Sequence, residues 1–319
     1  MSVASGLEHL KPFLPGLESA LEDPEVSEIM INGPGNVWVE RAGRLTAREA
    51  PDLDESALLR AAIHIARPLG LDPASSPIVD ARLDDGSRVA ICVPPASPRV
   101  AITVRRFGKR AFSAEDLVAQ GALPEDVLRA AEQVLRSRRN ILVSGGTGSG
   151  KTTLLNALIE LLPDDERIVA IEDTLELRIE RANCVRFEAR GLQEGAVTIR
   201  DLVRHALRHR PDHIVVGEVR GGEAADLLQA LNTGHGGSLT TVHANNAESA
   251  LSRIASCAMQ GGGALPWEVT CRGVVDGISM VIHMVRRQGK RFVEEAVFVK
   301  SYDAKENRWG IERIAKGEV

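Results

Sequence analysis

Residues 141–162, ILVSGGTGSGKTTLLNALIELL, carry the pattern on which the fold turns. An apolar run gives way to a loop of small residues, then to a stretch with leucines at helical spacing, so a strand, a turn and a helix are expected in that order. The loop fits GxxxxGK[ST] with Gly145, Gly150, Lys151 and Thr152. Glycines let successive backbone N–H groups turn inward around a phosphate, and the following helix points its positive end at the anion. Lys151 is placed to reach β and γ oxygens, and the Thr152 hydroxyl to ligate Mg2+. The predicted nucleotide-binding residues are therefore Gly145, Gly146, Thr147, Gly148, Ser149, Gly150, Lys151, Thr152 and Thr153.

Outward from that loop the chain alternates between two periods. A helical stretch, 122–139, precedes it; strand-like 167–173, 213–219 and 238–244 are separated by helix-like 198–209 and 222–234, with a further helix at 247–260. This alternation predicts a mostly parallel sheet with helices on both faces. GISMVIHMVRR (277–287) and RFVEEAVFVKSYD (291–303) look like late strands. Upstream, 17–33 suggests a helix then a strand, 36–48 a hairpin, and 54–70 an amphipathic helix. Stretches 77–95 and 99–107 suggest three strands, with a turn at Asp85-Gly86. We divide the chain into an α+β domain over 1–107, a linker over 108–113 and a larger α/β domain over 114–319.

Composition narrows the class. The 319 residues suit two domains, and 44% apolar, 26% charged and 3% aromatic residues fit an α/β protein. With 39 basic and 44 acidic residues the net charge is −5, so no global positive field recommends a nucleic-acid partner, and no direct nucleic-acid binding is expected. Cys92, Cys184, Cys257 and Cys271 lie far apart without a CxxC, and indicate neither a zinc cage nor a disulfide framework. No signal-peptide pattern and no membrane-length apolar run is present, so a soluble, cytoplasmic protein is expected.

Hydrolysis needs a group to orient water and a second anchor for the metal. RIVAIED ends in Glu172 and Asp173, and HIVVGEV delivers Glu218 behind four apolar residues and Gly217. Ligands of open α/β sheets bind beyond the carboxyl ends of strands, where both sets should converge, although helix caps and solvated loop charges use the same residues. GHGGSLTTVHANN brings His235 before a strand and His243 at its end. Either serves as a satisfied structural residue or, in the sharper expectation, as a γ-phosphate sensor at the same edge.

The succession GGTGSGKTT, IEDTLEL, and LRHRPDHIVVGEVRGGEAADLLQALNTGHGGSLTTVHANN resembles the Walker A, Asp box, Walker B and His box of the secretion and pilus traffic ATPases. The resemblance runs from about residue 20 to about residue 300, and its wording is nearest the conjugative type IV secretion and Flp/Tad-pilus branches. It implies a RecA-like P-loop ATPase domain behind a smaller N-terminal PAS-like α+β domain, with ATP and Mg2+ as cofactors. It implies a homohexamer that powers a secretion, conjugation or pilus-assembly machine, peripherally associated with the inner membrane and its platform proteins. By resemblance Glu172 polarises the attacking water, Glu218 holds Mg2+ along with Thr152, and His235 and His243 are the His-box residues. The family also supplies arginines from its N-terminal domain, and Arg82, Arg88, Arg105 and Arg106 are the matching candidates. Each is otherwise a solvated strand residue or a local ion pair. Arg220 is a further candidate for a neighbouring subunit. Arg200, Arg204 and Arg208 recur every four residues and are expected to be solvated or paired across a subunit contact, with a DNA-binding face as the lesser alternative. The rival functions are a RecA-like nucleic-acid motor ATPase and a non-catalytic nucleotide-gated scaffold.

Overall fold

The computed structural model describes residues 6–41, 43–107, 112–189, 196–262 and 265–316. The chain divides into two compact units, Met1–Arg110 and Ala111–Val319. Most of the linker expected over 108–113 falls on residues 108–111, outside the described residues.

The first unit contains α1 (Glu18–Glu22), β1 (Val26–Ile31), β2 (Val37–Arg41), β3 (Arg44–Arg48), α2 (Glu55–Ala66), β4 (Ile78–Arg82), β5 (Arg88–Cys92) and β6 (Ala101–Arg105). Its strands form one antiparallel sheet in the order β3-β2-β1-β6-β5-β4. Alternation decides its buried face. Val79, Ala81, Val89, Ile91, Ile102 and Val104 point into a core with Leu58, Ala61, Ala62 and Ile65 of α2, while the residues between them face away. The Asp54 side chain caps α2 by accepting from the Ala57 amide at 2.7 Å.

The second unit contains α3 (Ala114–Ala119), α4 (Glu125–Arg136), β7 (Ile141–Gly145), α5 (Lys151–Ile159), β8 (Ile168–Glu172), β9 (Cys184–Glu188), α6 (Ile199–Ala206), β10 (His213–Val219), α7 (Glu223–Leu231), β11 (Leu239–Val242), α8 (Ala247–Met259), α9 (Trp267–Gly277), β12 (Met280–Arg287), β13 (Lys290–Asp303) and β14 (Arg308–Lys316). The sheet order is β14-β13-β12-β7-β11-β10-β8-β9. Strands β12 through β9 in that order are parallel, and β13 and β14 add an antiparallel edge. Successive residues of one strand feed opposite cores. Ile141 and Val143 join the core of α3, α4 and α5, whereas Leu142 joins that of α6, α7, α8 and α9. Being covered on both faces, the central strands read as continuous apolar runs.

Of the α-helices and strands in the described residues, α3, β9, α9 and β14 were not expected from the sequence, nor was the 3-10 helix Leu7–Phe13. The first is short but has a capping box, with Ser113 and Asp116 each accepting from the other's amide. Helix α9 carries β-branched residues and two glycines, poor helix formers that packing on α7 and α8 holds in place. Strands β9 and β14 are edges, and their pairing partners supply what their own patterns lack. Among the described residues no helix is long and apolar enough to cross a membrane.

Candidate nucleotide site

Because β7, β8, β10 and β11 run parallel in register, their carboxyl ends come level at one edge of the sheet. Val242 pairs with Ser144, and Val216 pairs with Ile171 and Thr240. That edge gathers the phosphate loop after β7, Glu172 closing β8, Glu218 in β10 and His243 just after β11. Gly145 sits so close to β12 that a Cβ would lie 2.3 Å from the Met284 carbonyl oxygen. Gly150, at the N-cap of α5, has φ +99°, a conformation that only glycine adopts cheaply.

A line of polar contacts crosses this edge. The Lys151 ammonium, largely buried, donates to the carbonyls of Gly145 at 3.2 Å and Gly146 at 2.9 Å, and lies 3.4 Å from His243 Nδ1. An ammonium has only donors, so Nδ1 accepts from it in the tautomer whose ring proton is on Nε2, the nitrogen that faces Glu218 Oε1 at 3.1 Å. Burial, and then the charge of Lys151, hold the His243 imidazole below its ordinary value against the opposing pull of Glu218. Burial alone would raise Glu218, but the hydrogen bond and charge of Arg220, with His243 and Lys151 nearby, outweigh it and hold the carboxyl below the usual range. Arg220 grips Glu218 through Nε at 2.9 Å and Nη2 at 3.2 Å, and reaches Asp173 at 3.2 Å. Within this chain its partners are therefore Glu218 and Asp173.

Glu172 is almost wholly buried. Its Oε1 accepts from the amides of Glu176 at 2.6 Å and Leu177 at 2.7 Å, and its Oε2 from Arg186 at 3.1 Å. Gly217 is required beside it, since a Cβ there would stand 3.1 Å from the Glu172 Cγ.

The fit to a nucleotide with Mg2+ rests on features of the loop. Ser149 Oγ is buried and has no hydrogen-bond partner among the described residues. Thr152 and Thr153 open α5 half-buried, and a hydroxyl with carboxylates nearby is the hard oxygen donor set Mg2+ takes. Lys151, Thr152, Glu218 and the loop amides are the groups fitted to hold these ligands.

The structure does not bring every expected residue here. His235 precedes β11, and Leu239 pairs with Ile141 at the start of β7, so His235 lies at the amino end of the sheet, opposite the phosphate loop. There its Nδ1 faces the Ala230 carbonyl at 3.2 Å and its own carbonyl accepts from Ser238. Only the His-box residue after the strand reaches the site edge within this chain. Arg200 and Arg204 are partly exposed and both bind Asp226 of α7 within this chain, at 2.6 and 2.7 Å. Helix α6 ends at Ala206, so Arg208 falls in the 3-10 turn Leu207–His209.

In the first unit Arg82 pairs with Arg88 and Arg88 with Arg105 across β4, β5 and β6. Cross-strand partners share a face, so three guanidinium side chains form a row on the face away from the core, with Glu28 of β1 beside Arg105 at 3.4 Å. Arg106 is excluded from that row: it donates to the Leu21 carbonyl of α1. Sequence reasoning also missed Arg186 and Arg291. The latter, in β13, donates to the Gly148 carbonyl at 2.9 Å. Each belongs to a local basic pattern, and only the fold shows which loop it meets.

The family model for type II/IV secretion system proteins matches residues 16–308. The chain belongs to that family. It is 34% identical over 306 residues to the conjugal transfer protein TrbB of Rhizobium radiobacter, covering 94% of this chain and 91% of TrbB. The crystal structure of the VirB11 ATPase of the Brucella suis type IV secretion system, in complex with sulphate, is 30% identical, with TM-score 0.50 over 92% of this chain and 97% of that one. The pilus retraction motor PilT with bound ADP superposes at TM-score 0.65 and 23% identity, over 92% and 85% of the two chains, a likeness of fold. The architecture is the two-part RecA-like ATPase fold of these secretion proteins.

Proposed function

We propose that this secretion-family protein hydrolyses ATP with Mg2+ in a homohexameric ring, and that the ring drives a secretion, conjugation or pilus-assembly machine at the inner membrane. It is an ATPase of the type II/IV secretion family; membership carries that much. The observation that supports the finer reading is the line Lys151–His243–Glu218 beside the phosphate loop. It links the group that would meet the γ-phosphate to the carboxylate that would face the metal.

Loop amides and Lys151 bind the triphosphate. Mg2+, once bound through Thr152 and Glu218, neutralises phosphate charge. Glu172 orients water. The water oxygen forms the new bond to the γ-phosphorus, the bond to the bridging oxygen breaks, ADP leaves with that electron pair, and the water's proton passes into solvent or onto phosphate. His243 senses the γ-phosphate through Lys151. The row Arg82, Arg88 and Arg105 supplies further positive charge to the transferred group in the assembled ring.

Lys151→Ala tests the core of the reading. Turnover should fall by at least about a hundredfold, with loss of binding to a fluorescent ADP analogue. Unchanged turnover would overturn it.

A further inference from the structure

The carboxylate assigned to water has little room to act. A carboxylate offers about four acceptor directions. Among the described residues, two amides occupy Oε1 of Glu172 and Arg186 occupies one direction on Oε2, which leaves a single direction on Oε2. The same arginine also donates to the Leu177 carbonyl at 2.6 Å, so one guanidinium holds both the carboxylate and the segment folded around it. That segment, residues 173–178, is pinned twice more: the Leu175 amide donates to Glu188 of β9 at 3.2 Å, and the Arg178 amide to Asn156 of α5 at 2.8 Å. Strand β9 thus supplies two of the fastenings through residues on its one edge-strand pairing with β8. Glu172 itself is packed against Gly217 and cannot swing that way.

We propose that Arg186 is a positioning residue for hydrolysis: it fixes Oε2 of Glu172 so that the one remaining acceptor direction receives an O–H of the attacking water. The proposal rests on the water-orienting reading of Glu172. A guanidinium suits the task because Nη2 carries two N–H groups held in the guanidinium plane, one donated to the carboxylate oxygen and the other to the carbonyl. Arg186 touches neither phosphate nor metal in this scheme, and acts through Glu172 alone. Its loss should therefore slow the chemical step and spare nucleotide binding.

The test compares Arg186→Ala, Arg186→Lys and Glu172→Gln in the full-length chain, by steady-state ATP hydrolysis, binding of a fluorescent ADP analogue and thermal melting. We expect Arg186→Ala to lower kcat by at least about tenfold while KM and analogue affinity stay within about twofold. Added millimolar guanidinium should restore part of that turnover in Arg186→Ala and not in the parent. Arg186→Lys, whose ammonium sits on a shorter stem and lacks the fixed planar orientation of the guanidinium, should fold normally and give an intermediate kcat, and it decides the matter if the alanine variant misfolds. Parent-like kcat in Arg186→Ala or Arg186→Lys, with Glu172→Gln inactive, would overturn the role of Arg186 alone. Loss of kcat, analogue affinity and melting temperature together, without guanidinium rescue, would make Arg186 a structural residue and also overturn it. Normal turnover in Glu172→Gln would remove the water-orienting role on which the proposal stands.

Discussion

At the scale of single residues, His243 makes the site sensitive to acid. Burial and Lys151 lower its imidazole in the folded chain, so the unfolded chain binds that proton more readily. The stability it contributes is full above the ordinary histidine value of about 6.5 and is lost as pH falls through that range and below. A proton on Nδ1 would also set donor against donor at Lys151. Thermal melting from about pH 7.5 to 5.5 should fall in the parent and fall less in His243→Gln, the histidines elsewhere contributing equally to both. Equal slopes would show that His243 is not the titrating group. A second prediction concerns Gly217. With a Cβ 3.1 Å from the Glu172 Cγ, Gly217→Ala should cost about 1–3 kcal/mol by urea unfolding and lower kcat by displacing the carboxylate. An unaltered urea midpoint would mean that Glu172 can yield.

At the scale of elements, Asp226 fastens α6 to α7 by accepting from Arg200 and Arg204. It is mostly buried while the arginines are partly exposed, so Asp226→Ala should cost about 1–2 kcal/mol, less than a fully buried charged pair. Denaturant unfolding would measure it, and a cost near zero would show the pairing to be incidental. The elements most legible in the sequence were those buried on both faces, such as β7, β8 and β10, whose apolar runs are long for their length. Strands β9 and β14 were not legible, because an edge strand is stabilised by its neighbour more than by its own pattern. Missing β9 also hid Arg186, since a side chain cannot be matched to Glu172 before its strand has a place in the sheet.

At the scale of the whole molecule, a site completed between subunits has a kinetic signature. Turnover per protomer should rise with protein concentration and level off once rings have formed, and Arg88→Ala should lower the plateau without lowering the melting temperature. A flat rate in a protein that sizes as a monomer would remove the ring from the mechanism.

The sequence by itself determined the phosphate loop, the parallel sheet around it, and the carboxylates Glu172 and Glu218 at its carboxyl edge. These follow from contiguous residues: glycine's backbone freedom, apolar periodicity and the residue that ends each run. Only the tertiary structure decided that His243 and not His235 joins Lys151, that Arg82, Arg88 and Arg105 stand in one row, and that Arg186 holds Glu172. Those facts depend on strand polarity and register between segments far apart in the chain. A shift of one residue in register would turn each side chain to the other face, and no local pattern records which register the packed core selects.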